Sequence, residues 1–169
     1  MKLVSFSKNG EEGFGIFSQS GIYPVLEKFK KEFTNLKAVI DSKKIEDFEA
    51  FCESNPIPLS QVSLLPPIPN PGKIICAGMN YRKPYPVDGV AAPDPGNVVI
   101  FARHTETLVG HGADLELPSG KAAETYDFEG EIVAVIGKSG RFVSKDDALK
   151  HVIGYSIMNE GSVRGWMKH

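Results

Sequence analysis

The sequence predicts a mainly β protein with some α structure, divided into two unequal units by a proline-rich stretch. Short β-forming segments stand on both sides of that stretch, and one helical period lies in the first unit. Apolar residues make up 41% of the 169 positions, which is enough to fill a core. We therefore expect a small α+β domain at 1–53, a linker at 54–72 and a larger β domain at 73–169.

The first unit is predicted to be a three-stranded meander followed by helix. β-forming residues fill the segments 2–7, 13–18 and 21–26, and the polar residues between them suit hairpin turns. Apolar residues then recur at three-to-four spacing between 35 and 53, which is a helical period. We expect one helix or a helix pair to cover the apolar face of the meander. No functional site is expected in this unit.

Proline marks two irregular stretches. Six of the twelve prolines lie between Pro56 and Pro71, and such a run excludes both helix and central strand. The segment 54–72 is therefore interpreted as an extended connector. The segment 83–96 holds four prolines and two glycines, which is too irregular for a packed element. We expect it to be a mobile loop that covers the site of the second unit.

The second unit is predicted to consist of strands with one helix before the last of them. The expected strands are 73–78, 97–103, 115–117, 127–136 and 155–159. Ser144 and the acidic residues after it are typical of a helix N-terminus, with Leu149 in the buried stripe and Gly154 ending the helix. Both faces of 127–136 are apolar, so we expect that strand to be buried on both sides.

Two glutamates stand out on the longest predicted strand. Glu129 and Glu131 are two positions apart, so they share a face about 7 Å apart at Cα. Buried like charges lose hydration and repel unless a cation compensates them. Glu160 offers a third carboxylate after the last strand, and Arg164 adds a fixed cation four residues later. Carboxylates without His or Cys favour Mg²⁺, Mn²⁺ or Ca²⁺; alternatively, both glutamates sit at a solvated strand end and bind nothing.

Composition excludes several classes of partner. The 19 basic and 21 acidic residues give a net charge of −2, so no nucleic-acid partner is expected. The longest apolar runs reach about five residues, far short of the ~20 that a membrane span needs. No secretory signal opens the chain, so we expect a cytoplasmic protein. The two cysteines are expected to be reduced, buried small side chains.

Four blocks of the second unit together resemble one known family. The blocks are Lys-Ile-Ile-Cys-Ala-Gly-Met-Asn-Tyr at 73–81, Phe-Ala-Arg-His and Leu-Val-Gly-His-Gly within 101–112, Tyr-Asp-Phe-Glu-Gly-Glu at 126–131, and the segment 154–166 with its Ser-Val-Arg turn. In this order they are similar to the fumarylacetoacetate hydrolase family over residues 62–169. The N-terminal 61 residues are similar only in layout to the small first domain of bacterial members.

The resemblance implies a mixed β-roll catalytic domain that is usually dimeric. The segment 73–169 would be its N-terminal part. One Mg²⁺ or Mn²⁺ ion would be held by three carboxylates, which map onto Glu129, Glu131 and Glu160. Substrate contacts would come from Arg164, and from Asn80 and Tyr81 at the exit of a strand. Arg103, beside the pocket by analogy with the family, would contact substrate or form a salt bridge. No catalytic acid or base is assigned.

Family members act on small 2-oxo or 2-hydroxydienoic acids by hydrolysis, decarboxylation or isomerisation, through an enolate that the metal stabilises. Here the resemblance leans towards the bacterial branch that isomerises 2-hydroxyhepta-2,4-diene-1,7-dioate in aromatic-compound breakdown. A divalent-metal hydrolase, isomerase or decarboxylase of small oxo acids is therefore the first functional hypothesis.

The sequence departs from the family pattern at several positions. Glu160 replaces the usual aspartate, Met167 replaces a glutamine, and Pro84 stands where many relatives carry a histidine. Relatives also continue well beyond the position of His169, so we expect the β-roll to be incomplete here. Either the sequence is a fragment of a longer product, or the missing strands come from a homodimer partner or another chain. The second hypothesis is an inactive member that serves as a binding or assembly subunit.

Overall fold

The computed structural model describes residues 1–78 and 96–168. One α-helix, α1, spans Leu36–Asp41 in this part of the chain, and the remaining helical segments are short 3-10 turns. The ten strands are β1 (Leu3–Lys8), β2 (Glu11–Ser18), β3 (Gly21–Pro24), β4 (Ser63–Leu64), β5 (Ile74–Gly78), β6 (Val99–Arg103), β7 (Tyr126–Asp127), β8 (Gly130–Ile136), β9 (Val152–Asn159) and β10 (Ser162–Val163). The fold is thus mainly β, as the sequence predicts.

The N-terminal unit is a four-stranded antiparallel sheet in the order β3-β2-β1-β4. Its first three strands lie where the meander is predicted. Asn9 and Gly10 join β1 to β2, and both have positive φ angles (53° and 85°), as a type I′ hairpin turn requires. Because residues of one strand alternate between faces, Phe14 lies on one side of this sheet, while Val4 and Phe6 lie on the other.

Helical residues cover the Phe14 side of the sheet, as predicted. The side chain of Asn35 caps α1 by accepting a hydrogen bond from the Ala38 amide at 2.9 Å. Val39 of α1 and Phe48 of the following 3-10 turn are fully buried, and Phe48 stacks on Phe14 with 6.0 Å between ring centroids. This cluster is the larger of the two apolar cores in the unit.

The connector between the two units also pairs with strands of the N-terminal sheet. Within 54–72, β4 pairs with β1, and Ile57 forms a bridge with Ile22. The Ser5 hydroxyl donates to the Pro67 carbonyl at 2.8 Å. Ser63 and Leu64 can join the sheet because the prolines flank them and leave their amides free. The connector therefore covers the Val4 and Phe6 side of the sheet.

In the described residues of the second unit, three separate two-stranded antiparallel ladders are present: β5 with β6, β8 with β9, and β7 with β10. The predicted strand at 115–117 is absent, since those residues have no regular structure. The predicted strand 127–136 is interrupted at Phe128 and Glu129, because Asp127 pairs with Ser162 whereas Gly130 pairs with Asn159.

The helix expected after Ser144 is only a 3-10 turn at Ala148–His151. The Ser144 hydroxyl accepts a hydrogen bond from the Asp147 amide at 3.2 Å, but Asp147 and not Ser144 is the N-cap of the turn. Leu149 is 73% exposed, and Gly154 lies inside β9. Both expectations were wrong. Strand pairing with β8 extends β9 back to Val152, so Gly154 is a strand residue and not the end of a helix.

The β8–β9 ladder is exposed on one face, so the expectation of burial on both sides was wrong. Ile132 and Ile157 lie opposite each other in register and are 73% and 86% exposed. No layer within residues 1–78 and 96–168 covers them. We call this surface the outer face; it comprises Ile132, Ala134, Ile136, Ile153, Tyr155 and Ile157. In the described ranges no helix is long and apolar enough to cross a bilayer.

Candidate metal centre

Strand pairing brings together three glutamates that are distant in sequence. Glu129 precedes β8, Glu131 lies on β8, and Glu160 directly follows β9. The Glu160 amide donates to the Glu129 carbonyl at 2.8 Å, which continues the β8–β9 ladder by one step. The Asn159 side-chain oxygen accepts from the Glu129 amide at 3.2 Å. This junction therefore fixes residue 160 against residue 129.

The three side chains converge. Glu129, Glu131 and Glu160 each offer one carboxylate oxygen, and these oxygens all lie within 4.8 Å of one another. Glu160 is only 6% exposed, while the other two are partly buried. Carboxylate oxygens at this spacing are the donor set that hard divalent cations prefer. The residues present thus fit the ion that the sequence suggests.

Two arginines hold individual members of this glutamate cluster. Arg103, at the end of β6, donates from Nε to Glu160 Oε1 at 2.6 Å and contacts the same oxygen through Nη2. Arg164 Nη1 lies 3.1 Å from Glu129 Oε1, and its Nε lies 3.4 Å from an Asp127 oxygen. Each arginine thus compensates a carboxylate at the edge of the cluster.

Glu131 lacks such compensation. Within residues 1–78 and 96–168 no ion pair reaches Glu131. Burial raises the pKa of the Glu131 carboxyl, and the neighbouring Glu129 and Glu160 raise that pKa further. Four carboxylates, counting Asp127, and two guanidinium groups leave this region with a formal charge of −2. A single divalent cation would neutralise it.

Sequence reasoning missed three neighbours of the cluster. Asp127 pairs with Arg164, and the Ser162 hydroxyl accepts from Arg103 Nη2 at 3.3 Å. The Cys76 thiol also lies nearby: burial first, and then the charge of Glu160, raise its pKa. Alternation along 127–131 could have revealed Asp127. Nothing in the local sequence ties Ser162 or Cys76 to the glutamates, because their proximity depends on ladder packing.

The small residue Gly161 shapes the backbone beside Glu160. A Cβ atom at this position would overlap the hydroxyl group of Tyr126. Tyr126 pairs with Val163 in the β7–β10 ladder, so glycine lets the tyrosine ring lie against the turn that carries Glu160. An open depression of about 450 Å³ lies on this side, lined by Ala113, Asp114, Leu115, Tyr126, Asp127, Phe128 and Asn159.

The expected substrate contacts divide into two groups. Arg103 and Arg164 both lie at the cluster, where they contact carboxylates; their contact with substrate stays a prediction. The described residues do not include Asn80, Tyr81 or Pro84. They also leave out the loop expected at 83–96, apart from its last residue, and the side chain of Met167.

Three converging glutamates on an antiparallel β fold offer the carboxylate oxygens that hard divalent cations bind. Comparison with known families is specific. The family model described as "Fumarylacetoacetate (FAA) hydrolase C-terminal" matches residues 73–169, more than half of the chain. The chain belongs to the fumarylacetoacetate hydrolase family.

Two curated relatives illustrate the likeness. Oxaloacetate tautomerase YisK of Bacillus subtilis is 42% identical over 111 residues, which cover 65% of this chain and 36% of the relative. The mitochondrial oxaloacetate tautomerase fahd2 of Xenopus laevis is 32% identical over 178 residues, covering 98% of this chain and 53% of the relative. The chain therefore spans about half, or less, of the length of these relatives.

Solved structures show the same fold. The fumarylacetoacetate hydrolase of Exiguobacterium antarcticum has a TM-score of 0.74 and 27% identity, with 99% of this chain and 58% of that protein covered. Maleylpyruvate hydrolase of Sphingobium sp. SYK-6, solved with manganese(II) and pyruvate, has a TM-score of 0.69 and 24% identity, with 98% and 60% covered. The second likeness concerns the fold alone.

Proposed function

We propose that this chain holds Mg²⁺ or Mn²⁺ through Glu129, Glu131 and Glu160 and supplies the metal-binding part of an enzyme acting on small 2-oxo acids. Ca²⁺ suits the same oxygen donors. The observation that carries the proposal is the convergence of three carboxylate oxygens within 4.8 Å. Family membership and the tautomerase relatives support a hydrolase or isomerase.

The chemistry follows from the donor set. When bound, the ion supplies Lewis acidity that stabilises the negative charge of an enolate oxygen. The chain's own residues hold the ligands in place: Arg103 fixes Glu160, and Arg164 fixes Glu129. Oxaloacetate is the first substrate to test, and a 2-hydroxydienoate of aromatic breakdown is the second.

Metal binding tests the first half of the proposal. We expect Mn²⁺ to bind with one-site stoichiometry in isothermal titration calorimetry, because the three glutamates and Asp127, set against the two arginines, leave the site two negative charges in excess. Glu129→Gln and Glu131→Gln should each weaken binding by about tenfold or more, since each removes an anionic ligand. Glu124→Gln, at an exposed position outside the cluster, is the matched control and should bind as the wild type. Wild-type protein that binds no Mn²⁺ would refute the proposal.

Turnover tests the second half. The conversion between enol and keto oxaloacetate, followed by ultraviolet absorbance, should accelerate with Mn²⁺-loaded wild-type protein. Glu131→Gln should abolish that acceleration, whereas Glu124→Gln should keep it. Metal binding without any acceleration of oxaloacetate or dienoate conversion would refute the proposal that this chain is part of an enzyme.

A second candidate function is an inactive member that serves as a binding or assembly subunit. The outer face favours it, since it presents several exposed apolar side chains on one ladder. A homodimer partner, or a chain that supplies further strands, would bury this face. Association in EDTA, together with no acceleration of oxaloacetate or dienoate conversion by Mn²⁺-loaded protein, would support assembly without catalysis.

A further inference from the structure

We propose that Arg103 is a positioning residue for the metal centre: it fixes one oxygen of the Glu160 carboxylate and leaves the other for the cation. The inference deepens the function proposed above and rests on it. Sequence resemblance leaves Arg103 as a substrate contact or a salt-bridge residue. Its contacts with Glu160 assign it a role at the third metal ligand.

The contacts of Arg103 are concentrated on one carboxylate oxygen. Its Nε donates to Glu160 Oε1 at 2.6 Å, and its Nη2 contacts the same atom. Nη2 also donates to the Ser162 hydroxyl at 3.3 Å. The guanidinium therefore does not use Glu160 Oε2, and it spans the turn between β9 and β10 on which Glu160 sits.

Glu160 needs such a partner more than the other glutamates. It is 6% exposed, so its charge is separated from water and requires compensation. A glutamate side chain also has three rotatable bonds, and burying it in one rotamer costs entropy. A planar guanidinium fixes a carboxylate more rigidly than a single ammonium can. Arg103 therefore supplies both charge and orientation.

Arg103 is itself held from outside the β8–β9 ladder. It ends β6, where it pairs with Ile74 of β5, and its guanidinium carbon lies 5.3 Å from the centre of the Phe101 ring. Cation–π contact restricts the motion of the guanidinium. The β5–β6 ladder thus positions the guanidinium that contacts the Glu160 carboxylate, even though β6 makes no ladder with β9 or β10.

The site stays negatively charged with Arg103 in place, so it still attracts a cation. With both arginines in place, the region keeps a formal charge of −2. Arg164 is a different case, since it divides its contacts between Glu129 and Asp127 at 3.1 and 3.4 Å. Orientation of the third ligand therefore depends on Arg103.

The test measures Mn²⁺ affinity by calorimetry and the hydration of bound Mn²⁺ by water proton relaxation. Arg103→Met should lower affinity about 10- to 100-fold, the range found when a residue that orients a ligand is lost. It should also raise relaxation per bound ion, because water replaces the displaced Glu160 oxygen. Arg103→Lys should restore part of the affinity and bring the relaxation per bound ion part of the way back to the wild-type value. Arg141→Met is the matched control, since Arg141 is exposed over Phe142 and away from the cluster.

Opposite results would overturn the inference. If Arg103→Met binds Mn²⁺ as tightly as the wild type, or more tightly, and the relaxation per bound ion is unchanged, the inference is wrong. Arg103 would then be a structural cation or a competitor of the metal. If Arg103→Met does not fold, Ser162→Ala decides: a several-fold lower affinity with higher relaxation supports positioning, and no change rejects it. Failure of the proposed function is distinct, because wild-type protein itself would then bind no Mn²⁺, and the inference would fail with it.

Discussion

Charge compensation differs between the three glutamates, although their oxygens are close neighbours. Glu160 is the most buried of them and lies against Arg103, and Glu129 lies against Arg164. Glu131 has no ion pair in the described part of the chain, and its pKa is raised by burial and by the other two glutamates. Glu131 is therefore the residue at which metal binding and folding stability conflict most directly.

Glu131→Gln should stabilise the metal-free protein at neutral pH while weakening Mn²⁺ binding. The folded-state pKa of Glu131 lies above its ordinary value of 4.5, so its contribution to stability is full below that value. That contribution is lost as pH rises through the raised pKa. Urea unfolding in EDTA from pH 4 to 8 should show this slope in wild type and a smaller slope in Glu131→Gln. Equal slopes, with Glu124→Gln as control, would contradict the prediction.

The candidate ligands could be predicted from sequence because spacing on a strand and residue type carry the information. Strand alternation places Glu129 and Glu131 on one face, the position of Glu160 after the last strand makes it available as a third carboxylate, and the family resemblance joins the three as ligands of one ion. The partners of these residues could not be predicted in the same way. Arg103 meets Glu160 across 57 positions, and only ladder packing determines that contact.

At the level of elements, local signals predicted the first unit better than the second. Its strands are bounded by tight turns, and its pairs are close in sequence, so alternation and turn residues suffice. The break after Asp127 depends on pairing with Ser162, which is 35 positions away. A local pattern could not show that Asp127 and Gly130 belong to different ladders.

Gly161→Ala should destabilise the protein by roughly 1–3 kcal/mol, because the added methyl group overlaps the Tyr126 hydroxyl and forces the β7–β10 ladder apart. Gly154→Ala is the matched control within β9, since a Cβ there meets nothing within 4 Å. Alanine is better suited to a strand than glycine, so Gly154→Ala should be neutral or slightly stabilising. Chemical denaturation compares them, and equal losses would refute the role assigned to Gly161.

At the scale of the whole molecule, the two units bury their apolar residues unequally. The N-terminal sheet is covered by α1 on one side and by the connector on the other. In the second unit, the outer face leaves Ile132 and Ile157 mostly exposed. Apolar area of this kind favours association with another apolar surface.

Chain 1–169 should therefore self-associate through the outer face in sedimentation velocity experiments. Replacing Ile132 and Ile157 together with threonine should shift the population towards monomer, because threonine keeps the strand propensity and removes apolar area. The same double replacement with valine is the matched control and should preserve association. A threonine variant that associates as strongly as the valine variant would show that another surface is responsible.

The backbone hydrogen bond from Glu160 to Glu129 has a further consequence. The proposed ligands come from both sides of that single junction, so loading the ion and closing this corner of the sheet become one thermodynamic event. Free cation concentration would then set how often the corner opens. The affinity of the centre would in turn report the local order of the polypeptide around residue 160.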